Sequence, residues 1–302
     1  MSILQKAVTP QLSNAYLTAG WDRVSGFVVE AATVAFATTP AQLFDVHALG
    51  FPGSPFSPDD PFVDVIRFPA RATMRLENAI GGVDQKTRAL TGGPFVDRPP
   101  FKGTGFAPVA GHIVPVWWMR HTRVVPNTQL VRVFADGTEK LQAVFPNIAD
   151  GWMVDGVSVG RSTPFSRHVG TLAKWNDVYL TADVIDQGRR IVLATHSQPT
   201  DERFVRTGRG MWKYEIPFEE AAEVMELDIE AVWNGLELRI VDESVDADGT
   251  KLSSGSYIGH NADLAEGLRL VKVDAGVYEI TVPTAMLEGF RSTQLSQASW
   301  AE

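Results

Sequence analysis

The chain has 302 residues, of which 44% are hydrophobic, and it contains no cysteine. This length accommodates about two domains of ordinary globular composition, and the missing cysteines exclude disulfides and thiolate metal ligands. The first residues lack the basic and apolar regions of a secretory signal, and no apolar run reaches the ~18 residues of a membrane span. We therefore expect a soluble cytoplasmic protein.

Negative charge is concentrated in the second part of the chain. Residues 1–150 carry 13 Lys and Arg against 12 Asp and Glu, a net charge of +1, whereas residues 151–302 carry 14 against 24, a net charge of −10. Such a field repels nucleic acid and anionic lipid and attracts basic proteins. We therefore expect no nucleic-acid or membrane partner. The shift in composition predicts a Pro-rich, β-rich domain with long loops over residues 1–155 and an acidic α+β domain over residues 156–302.

The N-terminal part of the chain is expected to form strands separated by proline-rich loops. Thr39 and Pro40 are typical of a helix N-cap and first helical position, which predicts a short helix over residues 40–47. Asp136 and Gly137 have the chemistry of a tight hairpin turn. Strands are predicted over residues 63–68, 113–119, 130–134 and 139–145.

A long loop over residues 91–111 interrupts these strands. Loops of this length in a compact domain are usually functional or disordered. Its aromatic residues, including Phe101 and Phe106, favour a loop that packs onto something. One interpretation is packing against the strand that contains Trp117 and Trp118. The other is a lid over a ligand.

The C-terminal part alternates hairpins with short helices. Residues 217–227 have a proline near the start, acidic residues in the first turn and apolar residues three to four apart, which predicts an amphipathic helix. Asn261 is placed to cap a second helix over residues 262–266, which Gly267 would end. Strands are predicted over residues 172–186, 190–194, 231–241, 268–273 and 277–282.

A Trp followed by Asp or Asn occurs three times before an alternating apolar run. Asn and Asp tolerate positive φ, so these pairs indicate turns. The copies are Trp21-Asp22, Trp175-Asn176 and Trp233-Asn234. The last two predict related modules over residues 165–227 and 228–302, although chance similarity is an alternative. The fold class predicted is β-rich α+β, with antiparallel hairpins forming small barrel-like or sandwich modules and a few short helices.

A possible hydrolase nucleophile is Ser158, because residues 156–160 match the G-x-S-x-G pattern. Asp183 or Asp186 followed by His196 or His260 would complete the order Ser, Asp, His. The pattern requires a buried strand before the Ser and a helix directly after it, and Pro164 opposes such a helix. A simple turn at the domain junction is therefore the favoured interpretation.

A second catalytic hypothesis is an ADP-ribosyltransferase-like, nucleotide-handling enzyme. Such enzymes use a strand Arg, a Ser-rich strand start and a late strand Glu, an order met by Arg132, Ser254 with Ser256, and Glu279. The order of residues alone carries little specificity. His260, beside the predicted helix start, is a further candidate. No two histidines have the spacing of a helical metal site, so we predict no metal and no cofactor.

A binding surface is the remaining possibility. Trp117, Trp118, Arg120 and His121 include residue types that dominate interfaces, and adjacent strand residues point to opposite faces, so one Trp could be exposed. A strand buried on both faces is the alternative. We expect a binding protein more readily than an enzyme: an acidic interaction protein, such as an inhibitor or immunity-type protein, whose partner is a basic protein. The enzyme hypotheses, with Ser158, Arg132, His260 and Glu279, are the alternative.

Overall fold

The computed structural model describes residues 2–160 and 165–296. Strands dominate it and form two large antiparallel sheets joined by short helices and long loops. This confirms the predicted β-rich class with few short helices. The sheets form sandwich-like modules, and among the described residues no sheet closes into a barrel. Nor does this part of the chain contain a helix of the length and apolarity needed to cross a membrane.

The N-terminal half forms one nine-stranded sheet and two small two-stranded ones. Its strands are β1 (Ile3–Val8), β2 (Arg23–Glu30), β3 (Phe62–Pro69), β4 (Leu76–Asn78), β5 (Gly81–Gly82), β6 (Phe95–Val96), β7 (Phe106–Val109), β8 (His112–Pro115), β9 (Trp117–Arg123), β10 (Thr128–Phe134), β11 (Glu139–Phe145), β12 (Met153–Val154) and β13 (Val157–Ser158). The order in the large sheet is β13-β12-β11-β10-β3-β1-β2-β9-β4. The predicted hairpin at Asp136-Gly137 is present as β10 and β11. The predicted strand over residues 113–119 is two strands, because the extended pairing is interrupted at Val116, between β8 and β9.

The C-terminal half forms an eleven-stranded sheet. Its strands are β14 (Thr171–Trp175), β15 (Val178–Ile185), β16 (Arg190–Thr195), β17 (Val205–Arg206), β18 (Trp212–Pro217), β19 (Glu223–Trp233), β20 (Leu236–Val245), β21 (Lys251–Tyr257), β22 (Val271–Asp274), β23 (Val277–Pro283) and β24 (Glu288–Leu295). The main order is β17-β18-β16-β15-β14-β19-β20-β21-β23-β22, and β24 also pairs with β19.

In residues 2–160 and 165–296, four short α-helices lie between the strands. They are α1 (Pro10–Asn14), α2 (Pro40–Val46), α3 (Gln85–Thr91) and α4 (Ala262–Gly267). The Thr39 side chain caps α2 by accepting a hydrogen bond from the Gln42 backbone N–H, and Asn261 caps α4 in the same way. Both caps match the sequence prediction, because a side-chain oxygen satisfies a backbone donor that the helix leaves free.

The helix predicted over residues 217–227 is wrong. Phe218–Glu220 forms a single 3-10 turn, and the chain then enters β19. The start of β19 pairs with β14 and a longer stretch of it pairs with β24. Apolar residues in this segment therefore fill a sheet rather than one side of a helix, since strand pairing supplies the backbone hydrogen bonds that a helix would have made locally.

Two of the three Trp-containing turns join adjacent strands. Asn176 and Asp177 between β14 and β15, and Asn234 between β19 and β20, all have positive φ. The first turn is followed by β15, β16, β18, a 3-10 turn and β19, and the second by β20, β21, β23, a 3-10 turn and β24. The two segments thus share an order of long strands, but β17 and the 3-10 turn Asp186–Gly188 occur only in the first, and α4 and β22 only in the second. The division into domains and modules stays a prediction, and β19 spans the boundary proposed between residues 227 and 228.

The two halves share a hydrophobic core. Val192 and Ala194 of β16 belong to the same buried cluster as Leu4, Phe145 and Trp152 of the N-terminal half. Polar contacts reinforce this packing. The Arg209 guanidinium, for example, donates to the Gly20 carbonyl over 3.1 Å.

Candidate functional site

A cavity with a volume of about 420 Å³ lies in the described part of the chain. It begins where β1 and β2 separate: these strands pair only at Leu4↔Glu30 and Gln5↔Val29, and the residues beyond line the cavity. Its other walls are the end of α2 with the residues after it, the long loop before and through β7, and the turn between β22 and β23. The charged, histidine and aromatic side chains that line it include Lys6, Phe27, His47, Phe51, Asp97, Phe101, Lys272 and Asp274.

The long loop forms one wall and is held by aromatic packing. The Phe101 ring stacks on Phe27 with centroids 5.7 Å apart and also meets Phe95 at 5.8 Å. Phe95 in turn contacts the buried Trp118 at 6.3 Å. The loop therefore packs against the Trp118 strand and borders the cavity at the same time, since Phe101 and Phe106 line it. The first interpretation of this loop, packing against the Trp118 strand, agrees with these contacts, whereas a lid over a ligand stays a prediction.

A glycine allows this loop to pass close to its neighbours. Gly103 has φ +68, and a Cβ at this position would lie 2.1 Å from the Gly81 carbonyl oxygen. The Gly81 N–H donates to the Gly103 carbonyl over 2.9 Å. Only glycine fits such a conformation at such a distance without moving the backbone, so Gly103 fixes the loop against β5.

Charged side chains in the wall are paired across the two halves. Lys6 Nζ lies 2.8 Å from Asp274 Oδ2, and both side chains are largely buried. Lys272 Nζ lies 4.0 Å from Asp97 Oδ1 and 5.9 Å from the centre of the Phe51 ring. Burial raises the pKa of Asp97, and its hydrogen bond from the Arg98 backbone N–H and the nearby Lys272 only partly oppose this.

His47 is the neutral polar group of the cavity wall. Burial, reinforced by the positive charge of Lys6, lowers the pKa of His47 to about 3. Its Nε2 lies 3.1 Å from the Gln5 amide nitrogen. The imidazole stays uncharged at neutral pH. The wall therefore combines a neutral ring, aromatic surface and ion pairs in which each charge faces an opposite charge.

The residues predicted as a binding surface contact the C-terminal half. Trp118 is fully buried, and its indole N–H donates to the Gly276 carbonyl over 2.9 Å. Trp117 is partly buried and packs on the shared core. Arg120 Nη1 lies 2.6 Å from Glu230, and His121 Nδ1 lies 3.0 Å from Glu279. As a protein-binding surface these side chains stay a prediction, whereas Phe101 and Phe106 line the cavity.

The catalytic candidates lie on different elements. The Ser158 side chain makes no hydrogen bond to a histidine or carboxylate within residues 2–160 and 165–296, and the residues directly after Gly160 lie outside the described chain. His196 accepts from the Phe165 backbone N–H, while His260 contacts Glu77 at 3.0 Å. The structure thus assembles no Ser, His and acid group around Ser158 in the part it describes.

The transferase candidates are also separated. Arg132 is on β10, and its Nε donates to Asp64 over 2.8 Å. Glu279 is on β23 beside Ser256 of β21, while the Ser254 hydroxyl meets Thr281 at 2.9 Å. Burial favours a higher pKa for Glu279, but the contact with His121 outweighs it and keeps that pKa below its usual value. Arg132 and Glu279 therefore bind different partners, Asp64 and His121, and do not form one site.

Many acidic residues of the C-terminal half are used inside the molecule. Asp183 pairs with Arg123, Asp242 with Arg23, Glu230 with Arg120, and Asp263 and Glu266 with Arg98. This pairing explains part of the charge asymmetry, because the N-terminal half supplies the cations. The predicted attraction of a basic partner stays a hypothesis and depends on the carboxylates that remain exposed.

Apart from Phe101 and Phe106, sequence reasoning missed the cavity residues discussed above. Lys6, His47, Asp97 and Asp274 are far apart along the chain, and none belongs to a recognisable motif. The only local signal was the long loop containing Phe101. Among the described residues, no group of three or more His, Asp or Glu side chains is placed to hold a metal ion.

Fold and site together define a two-sheet antiparallel β protein with an aromatic-lined cavity between its halves. No protein-family model, curated protein or solved structure matches this chain.

Proposed function

We propose that this protein binds a small organic molecule in the cavity between β1, β2, α2, the long loop and the β22–β23 turn. The observation that carries the proposal is the cavity itself, with its volume of about 420 Å³. Ligand pockets typically occupy roughly 300–1,000 Å³ and combine apolar walls with a few fixed polar groups. The stacked Phe27 and Phe101, with His47 and the Lys6–Asp274 pair, have this composition.

Binding is favoured over catalysis by the placement of the reactive side chains. Ser158, Arg132 and Glu279 do not line the cavity. A catalytic base must lie within hydrogen-bond reach of the group it activates. The cavity wall instead holds a neutral His47 and an ion pair that is already satisfied, which suits recognition of a ligand.

Ligand-observed NMR tests the proposal with small aromatic probes: toluene, benzamide, benzylamine and benzoate. We expect saturation transfer from the protein to at least one of them. Ala107→Trp places a large ring at a partly buried position of the wall and should abolish the signal. Ala135→Trp is the matched control, because Ala135 is exposed and does not line the cavity.

Two results would refute the proposal. One is the absence of transfer to any probe with the folded wild-type protein. The other is transfer that Ala107→Trp and Ala135→Trp leave equally strong, which would place the bound probe outside the cavity.

A further inference from the structure

A chain of hydrogen bonds leads from the surface of the first sheet to His47. Glu139 receives two hydrogen bonds from the Arg67 guanidinium, over 2.6 and 2.7 Å. Arg67 Nε donates to Gln5 Oε1 over 2.8 Å. The Gln5 amide nitrogen then lies 3.1 Å from His47 Nε2. Gln5 and Arg67 are direct register partners on β1 and β3, so strand pairing holds these groups in place.

The order of donors along this chain fixes the proton on His47. A guanidinium only donates, so the group of Gln5 that faces Arg67 must be its carbonyl oxygen. The amide nitrogen of Gln5 therefore faces His47, and an amide nitrogen also only donates. His47 Nε2 must accept this bond, which leaves the ring proton on Nδ1. His47 lines the cavity and makes no other side-chain hydrogen bond within the described residues, and its Nδ1 is not among the fully buried polar atoms without a partner.

The surroundings keep this imidazole neutral. Lys6 from β1 lowers the pKa of His47, as does burial. Arg67 lies beyond Gln5, and the Asp274 carboxylate of the cavity wall is paired with Lys6. Asp45 of α2 lines the cavity but is exposed. A neutral ring with its proton on Nδ1 is a hydrogen-bond donor of fixed direction.

We propose that His47 Nδ1–H is the donor that selects the ligand of the cavity, and that this ligand carries an uncharged acceptor oxygen, of the amide or ketone type, beside an aromatic or apolar body. The inference rests on the proposed binding function. A ligand ammonium has no lone pair and cannot accept the hydrogen bond that Nδ1–H offers. A ligand carboxylate would lose its hydration against a Lys6 charge that Asp274 already neutralises.

The decisive variant is Gln5→Glu, which changes the chemistry of this position while keeping its shape. Its carboxylate accepts from Arg67 on one side and from His47 on the other. The ring proton should therefore move to Nε2, which turns Nδ1 into an acceptor. Imidazole ¹⁵N spectra read the tautomer directly, without any ligand: wild type should show Nδ1–H, and Gln5→Glu should show Nε2–H.

Binding of the probes gives the second readout. Benzamide should bind wild type more tightly than benzylamine, and Gln5→Glu should weaken benzamide about tenfold, the cost of leaving a buried acceptor without its donor. Toluene, which has no acceptor, should bind both forms within about twofold and reports an intact cavity. If Gln5→Glu does not fold, Gln5→Met removes the amide donor and should give a mixture of tautomers and weaker benzamide binding.

The possible outcomes separate the two proposals. Nε2–H in the wild-type spectrum overturns the inference, as does benzamide binding that stays unchanged when the tautomer changes. Toluene binding without any preference for benzamide over benzylamine also overturns it but leaves the proposed function standing. Failure of all probes to bind refutes both proposals.

Discussion

Lys6 and Asp274 join the two halves of the chain at the cavity wall, with Nζ and Oδ2 2.8 Å apart. Lys6 is on β1 of the first sheet, and Asp274 ends β22 of the second. Their side chains are 5% and 12% exposed, so water screens the pair weakly. This contact makes the cavity a shared feature of both sheets.

Removing one partner of this pair should destabilise the protein. Lys6→Met leaves Asp274 buried without its cation, and we expect a loss of about 3 kcal/mol in the free energy of unfolding. The double variant Lys6→Met, Asp274→Leu should recover most of that loss, because no unpaired charge remains. Urea unfolding measures both. Arg189→Met, which breaks the exposed pair with Asp186, is the control and should cost less than about 0.5 kcal/mol. Equal losses for the two single variants would contradict the account.

The buried Arg123–Asp183 pair should contribute strongly to the stability of a molecule whose halves unfold together. Both side chains are almost fully buried, and the second carboxylate oxygen of Asp183 accepts from the Ile148 backbone N–H over 2.7 Å. We expect Arg123→Met to cost about 3–5 kcal/mol while unfolding stays a single transition. Tryptophan fluorescence and far-ultraviolet circular dichroism should give the same midpoint. Separate midpoints for the wild type would show that the halves unfold independently.

His47 should make stability depend on pH below neutrality. Its folded-state pKa of about 3 lies below the ordinary value of 6.5, so the unfolded chain binds a proton in this window that the folded protein does not. Stability is therefore unaffected above pH 6.5 and falls as the pH decreases from 6.5 towards 3. At pH 5 the free energy of unfolding should be about 2 kcal/mol lower than at neutral pH because of this group.

The variant His47→Gln isolates this effect. It retains a side chain that can accept the bond from Gln5 but cannot titrate, so its free energy of unfolding should fall less than that of the wild type between pH 7 and pH 5. Parallel pH dependences of the two proteins in urea titrations would mean that His47 protonates freely in the folded state.

Gly103 should be difficult to replace in the long loop. Gly103→Ala combines a φ of +68 with a Cβ 2.1 Å from the Gly81 carbonyl oxygen, and we expect a loss of about 3 kcal/mol or more. Gly111→Ala is the matched control. Its φ is +82, but no atom lies within 4 Å of the added Cβ, so only the backbone strain of about 1 kcal/mol applies. Similar melting temperatures for the two variants would show that the loop does not pack on β5.

Local turn and cap chemistry made much of the fold predictable. Thr39 and Asn261 cap helices, and Asp136-Gly137 turns a hairpin, because each acts on backbone groups a few residues away. Residues 217–227 failed as a helix because their partners, β14 and β24, lie far away in sequence. A periodicity within one short segment does not contain that information.

The candidate site was largely beyond sequence analysis for the same reason. The loop with Phe101 stood out by its length, but Lys6, His47 and Asp274 meet only after both sheets have formed. Charge counting found the acidity of the C-terminal half. It did not show which carboxylates, such as Asp183 and Asp274, would pair inside the molecule.

The most direct test of a ligand site in this cavity is to locate a bound probe. Crystals of the protein soaked with 4-bromobenzamide should show the bromine anomalous signal inside the cavity, with the ring against Phe51 or Phe101 and the carbonyl oxygen within hydrogen-bond distance of His47 Nδ1. Bromine signal only on the outer surface, or an empty cavity in crystals whose solution counterpart binds the probe, would contradict the account.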